Sequence, residues 1–315
     1  MSDQSKIEWT DATWNPVTGC TKVSPGCDHC YAETLHERFN GKGSFATVTL
    51  HPERLEKPLG WRKPRRVFVN SMSDLFHDAV PDEFIARVWA TMAASPQHTF
   101  QVLTKRHGRM RSLLSSEEFD LAVAEEWSKL GTTAGALDPD HTPPYPLPNV
   151  WIGVSTEDQK WADIRIPALL ETPAAVRWIS AEPLLGPIEL HHGHTHCPTH
   201  DFAGGFCVGP CPDRFGLDWV VVGGESGPGA RPMDPAWARS LRDQCVDADV
   251  RYLFKQWGAW KPIGEGIGAF SPPEMLIGSQ LDRWGHRQVM RRVGKARAGR
   301  ELDGRTWDEY PEVAA

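Results

Sequence analysis

Six short apolar runs, rich in β-branched and aromatic residues, recur along this chain at 67–69, 100–103, 150–154, 176–179, 219–222 and 251–254. Stretches of helical character lie between them, clearest at 81–94, 116–130, 158–170 and 235–248. Runs without polar alternation suit strands buried on both faces, and such strands belong to parallel sheets covered by helices. Their starts lie roughly 25 to 50 residues apart, room for a crossover helix each time. Pro81 and Pro235 mark helix starts, where a missing N–H costs nothing. With one more possible strand near the cysteine-rich loop at 15–32, the pattern predicts an α/β fold: a full or partial parallel β/α (TIM-like) barrel. A doubly wound open sheet is the alternative, but it would show a glycine-rich fingerprint after its first strand, and none is present.

Each run empties into polar or charged residues. The ends are Asn70-Ser71-Met72-Ser73-Asp74, Thr104-Lys105-Arg106, Ser155-Thr156-Glu157, Ser180-Ala181-Glu182-Pro183, Gly223-Gly224-Glu225-Ser226 and Lys255-Gln256-Trp257. In a β/α barrel these ends converge on one rim, which carries the active site. Gly223-Gly224-Glu225 fits a place where backbone approaches a ligand while a carboxylate meets a cation or amine, or else a tight turn.

A second feature sits near the N-terminus. Cys20, Cys27 and Cys30 lie in a stretch that Pro16, Gly19, Pro25 and Gly26 mark as a loop. Three thiols suit a metal better than a disulfide, which would leave one unpaired. A four-iron cluster held by three thiolates keeps one iron open. A zinc knuckle, with Cys20 or His29 completing Cys27 and Cys30, is the competing reading, and reduced cysteines without metal are a third. Spacing alone does not separate them.

The stretch Asn-Pro-x-x-Gly-Cys, followed by Gly-Cys-x-x-Cys-Tyr-Ala, resembles the cluster loop of radical S-adenosylmethionine (SAM) enzymes, especially the spore-photoproduct-lyase-like branch. The usual spacing there is Cys-x3-Cys-x2-Cys, and this chain inserts three more residues between Cys20 and Cys27. Over its length the chain is similar to a phage and bacterial family described as radical-SAM-like for its three-cysteine motif. That likeness extends to Gly223-Gly224-Glu225-Ser226-Gly227, Phe254-Lys255-Gln256-Trp257-Gly258 and the stretch from Gly299 to Arg305. The resemblance implies that Cys20, Cys27 and Cys30 hold a [4Fe-4S] cluster. It implies SAM as cofactor and a 5'-deoxyadenosyl radical that takes hydrogen from a substrate at the rim. Asn70, Ser71, Asp74, Ser155, Gly223, Gly224 and Ser226 are then the expected cofactor contacts. Glu182, Glu225 and Lys255 are the expected catalytic groups. An electron donor such as a flavodoxin or ferredoxin is implied, and the lyase-like branch favours a nucleic acid or nucleotide as substrate. Two further readings stand beside it: a non-catalytic zinc-binding module for nucleic acid or protein, and a scaffold that keeps the cluster without turnover.

Between residues 191 and 216 lies a His/Cys-rich insertion. His196, Cys197, His200, Cys207 and Cys211 there are candidate ligands for zinc or a second cluster, though an ordinary insertion would carry the same composition. Cys245 reads as a buried structural thiol. Trp9 and Trp14 flank the cysteine loop and are expected to shield a cluster. The proline-rich segment 131–149 reads as a surface connector.

Hydrophobic residues make up 40% of the 315 and no apolar run nears the roughly 20 needed to span a bilayer, so a membrane role is not expected. The polar start, without a signal peptide, predicts a cytoplasmic protein whose cysteines stay reduced. A net charge of -7 argues against an overall basic footprint, yet 54–66 and 283–300 are locally basic and suit either solvated surface or phosphate contact. A single barrel domain over 1–280 is expected, with 281–315 as a basic extension packed on it.

Overall fold

The computed structural model describes residues 4–134, 142–190, 202–203, 206–207, 216–267, 273–279, 281 and 283–312. Seven strands form one parallel sheet: β1 (Ala12–Trp14), β2 (Arg66–Val69), β3 (Thr99–Thr104), β4 (Val150–Ser155), β5 (Val176–Ala181), β6 (Trp219–Gly223) and β7 (Arg251–Gln256). Each strand pairs with the next in sequence, so the order never reverses. A doubly wound sheet requires a reversal, and its absence excludes that alternative. The sheet curls into a half-barrel, the partial form of the expected barrel.

Helices α1 (Tyr31–Asn40), α2 (Asp82–Ala93), α3 (His107–Leu114), α4 (Glu117–Ala134), α5 (Gln159–Leu170) and α6 (Pro235–Asp247) lie in the connections from β1 through β5 and between β6 and β7. Asp158 caps α5 by accepting from Trp161 N, and Asp234 caps α6 by accepting from Ala236 N, with Pro235 at its first position. Pro81 stands one residue before α2 rather than inside it.

The two faces of the sheet bury different side chains because successive residues of a strand point opposite ways. Val67, Val69, Ile152, Val154, Ile179, Val220, Val222 and Phe254 join the main core with the helices. Phe68, Trp151, Trp178, Trp219 and Leu253 point into the hollow and pack with Trp9. Trp9 lies 5.2 Å from Trp178 and 4.6 Å from Phe68, centroid to centroid. Gly153 belongs to this inner layer, and a Cβ there would stand 2.4 Å from the Trp178 ring. These aromatic side chains fill the lower hollow, and a cavity opens toward the strand ends.

The C-terminal segment covers the outer edge of β7. Phe254 N donates to Trp307 O, Glu309 N donates to Tyr252 O, and Tyr310 packs on Trp219. This satisfies backbone groups that an open edge would leave unpaired. An antiparallel sheet of β8 (Trp260–Gly266), β9 (Glu274–Ile277) and β10 (Arg287–Arg292) lies beside the barrel, with Trp260 and Met290 in the main core. Of the region expected as a basic tail, Arg287–Arg292 is thus a strand of this sheet. No helix among the described residues is long and apolar enough to cross a membrane.

Candidate functional site

The strand ends and the cysteine loop enclose one cavity of about 410 Å3. Cys20, Cys27 and Cys30 line it, and none is in a disulfide. Residues from the ends of β2 to β7 line it with them, and Trp9 and Phe68 form part of the wall.

The loop is held in place residue by residue. Asn15 Oδ1 accepts from Met72 N at 3.1 Å and Ser71 Oγ at 3.2 Å, and Asn70 Oδ1 accepts from Val17 N at 3.3 Å. Asn70 itself takes a left-handed backbone conformation, φ 59°. Gly19 N donates to Met72 O, and Cys20 N to Phe45 O. Gly19 has φ +89°, and a Cβ there would stand 2.1 Å from Thr47 O, so glycine is required before the first cysteine. Arg106 donates to Thr21 Oγ1 at 2.8 Å. Cys30 is the N-cap residue of α1, and Tyr31 Oη donates to Ser71 O at 2.6 Å.

Two acidic residues brace the loop from the barrel side. Glu157 accepts from Ser24 Oγ at 2.6 Å and from Arg165 Nη1 at 2.9 Å. Glu225 is gripped by Arg231, at 2.6 Å from Nη2 and 3.0 Å from Nε, and Arg231 also reaches Asp28 at 3.1 Å and Pro25 O at 2.8 Å. Burial pushes the Cys20 thiol up to about 11, reinforced by Asp74 and opposed by Arg106. Burial raises Cys30 as well, against the N–H groups of Glu33 and Ala32 and the charge of Lys105.

Most of the expected site residues meet here. Asn70, Ser71, Asp74, Ser155, Glu182, Gly224, Glu225, Ser226 and Lys255 all line the cavity with the three thiols. Glu182 and Lys255 form an ion pair at 2.7 and 2.8 Å, joined by Gln256 Nε2 at 3.4 Å. Asp74 is largely committed to structure, accepting from Thr104 Oγ1 at 2.7 Å and Lys105 N at 3.0 Å. Gly223 stands behind Glu182, whose carboxyl carbon would lie 3.1 Å from a Cβ there. Gly224 is needed because a Cβ would meet Trp257 O at 2.1 Å. Both glycines thus make room for protein atoms.

Trp9 reaches the cavity wall, but Trp14 does not. It lies in the outer core and donates its indole N–H to Arg54 O at 2.8 Å. Cys245 is fully buried, as expected of a structural thiol. His196, Cys197, His200 and Cys211 lie outside the described residues, and of Cys207 only the short strand it shares with Phe206 is described. Four cations of the two basic stretches are paired within the chain: Arg66 with Asp11, Arg291 with Glu274, Lys295 with Glu8 and Arg300 with Asp308. The bracing residues Arg165 and Arg231 carried no sequence signal, since a lone arginine on a helix or loop reads as surface.

Among the described residues no three His, Cys, Asp or Glu side chains are grouped closely enough to hold one metal ion. The three thiols line one cavity and none is in a disulfide.

Fold and site together define a β/α half-barrel protein with a three-cysteine loop closing over its strand ends. The chain belongs to DUF5131, a family described as a protein of unknown function, whose model matches residues 4–311. No curated protein and no solved structure matches it.

Proposed function

We propose that this protein is a radical SAM-type iron–sulfur enzyme that modifies or repairs a substrate of the nucleotide or nucleic-acid class. The observation that carries the reading is the convergence of three free thiols from one loop with six strand ends around one cavity. A volume of about 410 Å3 falls in the range of small-ligand sites. Cys20, Cys27 and Cys30 would hold a [4Fe-4S] cluster, and SAM would occupy the space between them and the strand ends. When bound, the cluster and SAM supply reductive cleavage to a 5'-deoxyadenosyl radical, with the electron coming from a donor such as a flavodoxin or ferredoxin.

The protein's own contribution is position, charge and exclusion of water. Lys255 and Glu182 offer a donor and an acceptor side by side on the cavity wall. Trp9 and Phe68 keep the adjoining wall apolar. The substrate class is supported by the stretch 283–300, which has seven Lys and Arg, three of them (Arg291, Lys295 and Arg300) already paired with carboxylates, and by Arg292 of that stretch reaching the rim loop at Gly227 O.

Anaerobic purification with iron and sulfide analysis, a visible spectrum, and EPR of the reduced protein with and without SAM tests the reading. About four irons per chain and an EPR signal that changes with SAM are expected. Both should vanish in Cys27→Ala. Stoichiometric zinc with no iron after anaerobic reconstitution would overturn the proposal in favour of a zinc-binding module.

A further inference from the structure

Glu157 follows β4 and is completely buried, and so is its partner Arg165 on α5. A buried pair that served only to tie α5 to the sheet would need nothing from the N-terminal loop. Here the loop is shaped around the carboxylate. Ser24 Oγ donates to Oε1 at 2.6 Å across 133 residues of sequence. A Cβ on Gly26 would stand 2.4 Å from the same oxygen, so only glycine lets the chain lie against it. The backbone of Glu157 is fixed as well, with its carbonyl accepting from Leu185 N at 2.7 Å. Lys105 Nζ stands 3.7 Å from Oε1, so the one carboxylate faces two cations. Arg165 stacks on Trp161, 4.1 Å from the ring centroid, and its Nε and Nη2 have no hydrogen-bond partner among the described residues. With Arg165 so confined, the carboxylate is held in one orientation, and that orientation presents Oε1 to Ser24.

We propose that Glu157 is the positioning residue of the cysteine loop: through Ser24 and Gly26 it holds segment 24–27 against the barrel and sets where Cys27 meets the cavity. The inference concerns the chain's own loop and does not depend on which group the thiols hold.

The test is per-cysteine alkylation of the full chain, stripped of any metal by a chelator under anaerobic reducing conditions. Iodoacetamide rates at pH 8 are read by peptide mass spectrometry, with the buried Cys245 as internal control. Ser24→Ala should raise the Cys27 rate about fivefold or more relative to Cys245, because reactivity follows access. Glu157→Gln should do the same. Combining the two should add little, since both break one contact. Ser24→Thr keeps the hydroxyl and should return Cys27 to within about twofold of the unsubstituted chain. If Glu157→Gln unfolds the chain, seen as Cys245 rising in step, Ser24→Ala decides alone, because it leaves the buried arginine paired. An unchanged Cys27 rate in Ser24→Ala, independent multiplication of the two effects, or failure of Ser24→Thr to restore the rate would overturn the proposal.

Discussion

Replacing Arg231 with Gln should loosen the joint between the cysteine loop and the end of β6. The arginine makes two bonds to Glu225, one to Asp28 and one to Pro25 O. Glu225 is 5% exposed, so without the guanidinium it becomes a buried carboxylate with only the Arg231 N–H, at 2.7 Å, to answer it. Leaving a buried charge unpaired costs about 3 to 5 kcal/mol. Arg231 is one-third exposed, so water screens the pair, and the Asp28 contact adds little. The expected loss is about 2 to 3 kcal/mol, most of it the stranded carboxylate. For a chain of this length that lowers Tm by about 4 °C. Thermal and urea unfolding by circular dichroism would measure it, and the double variant Arg231→Gln/Glu225→Gln would assign it. Removing the carboxylate should recover at least half of the loss, because the stranded charge is gone. An unshifted Tm in the single variant, or a double variant no better than the single, would refute the reasoning.

Gly153→Ala should destabilise the barrel by about 1 to 3 kcal/mol, since the new methyl meets the buried Trp178 ring. An unchanged urea midpoint would mean that the tryptophan layer can give way. In the metal-free chain, alkylation of Cys20 should climb about tenfold per pH unit from pH 7 to 10, because the thiolate is the nucleophile and burial holds this thiol at about 11. A plateau below pH 9 would contradict that. Neutralising Arg291, Arg292 and Lys295 together should reduce the salt slope of nucleic-acid binding by no more than about one, because Glu274 and Glu8 already answer two of the three cations. A fall of about three would show that those ion pairs open on binding.

The parallel sheet is legible in the chain because its strands are buried on both faces and leave continuous apolar runs such as 219–222. The cysteine loop is legible for a related reason, since three thiols, two prolines and two glycines lie within one short segment. The sheet over 260–292 is hidden, because β10 carries Arg287, Arg291 and Arg292 and so reads as a charged tail. Trp14 and Trp9 look equivalent in sequence, yet one faces the helices and the other the hollow. Which face a residue takes depends on pairing with Val69 of β2, 55 residues away.

The sequence by itself determines the local chemistry: strands that alternate with helices, thiols held in a loop, and polar residues directly after each buried run. Only the tertiary structure decides the strand order, the partial closure, and which charge meets which. Arg231 reaches Asp28 across 203 residues and Ser24 reaches Glu157 across 133. Burial strengthens such contacts and makes their loss costly, but they leave no periodic trace, because nothing in the chain near either partner needs to change to accommodate the other.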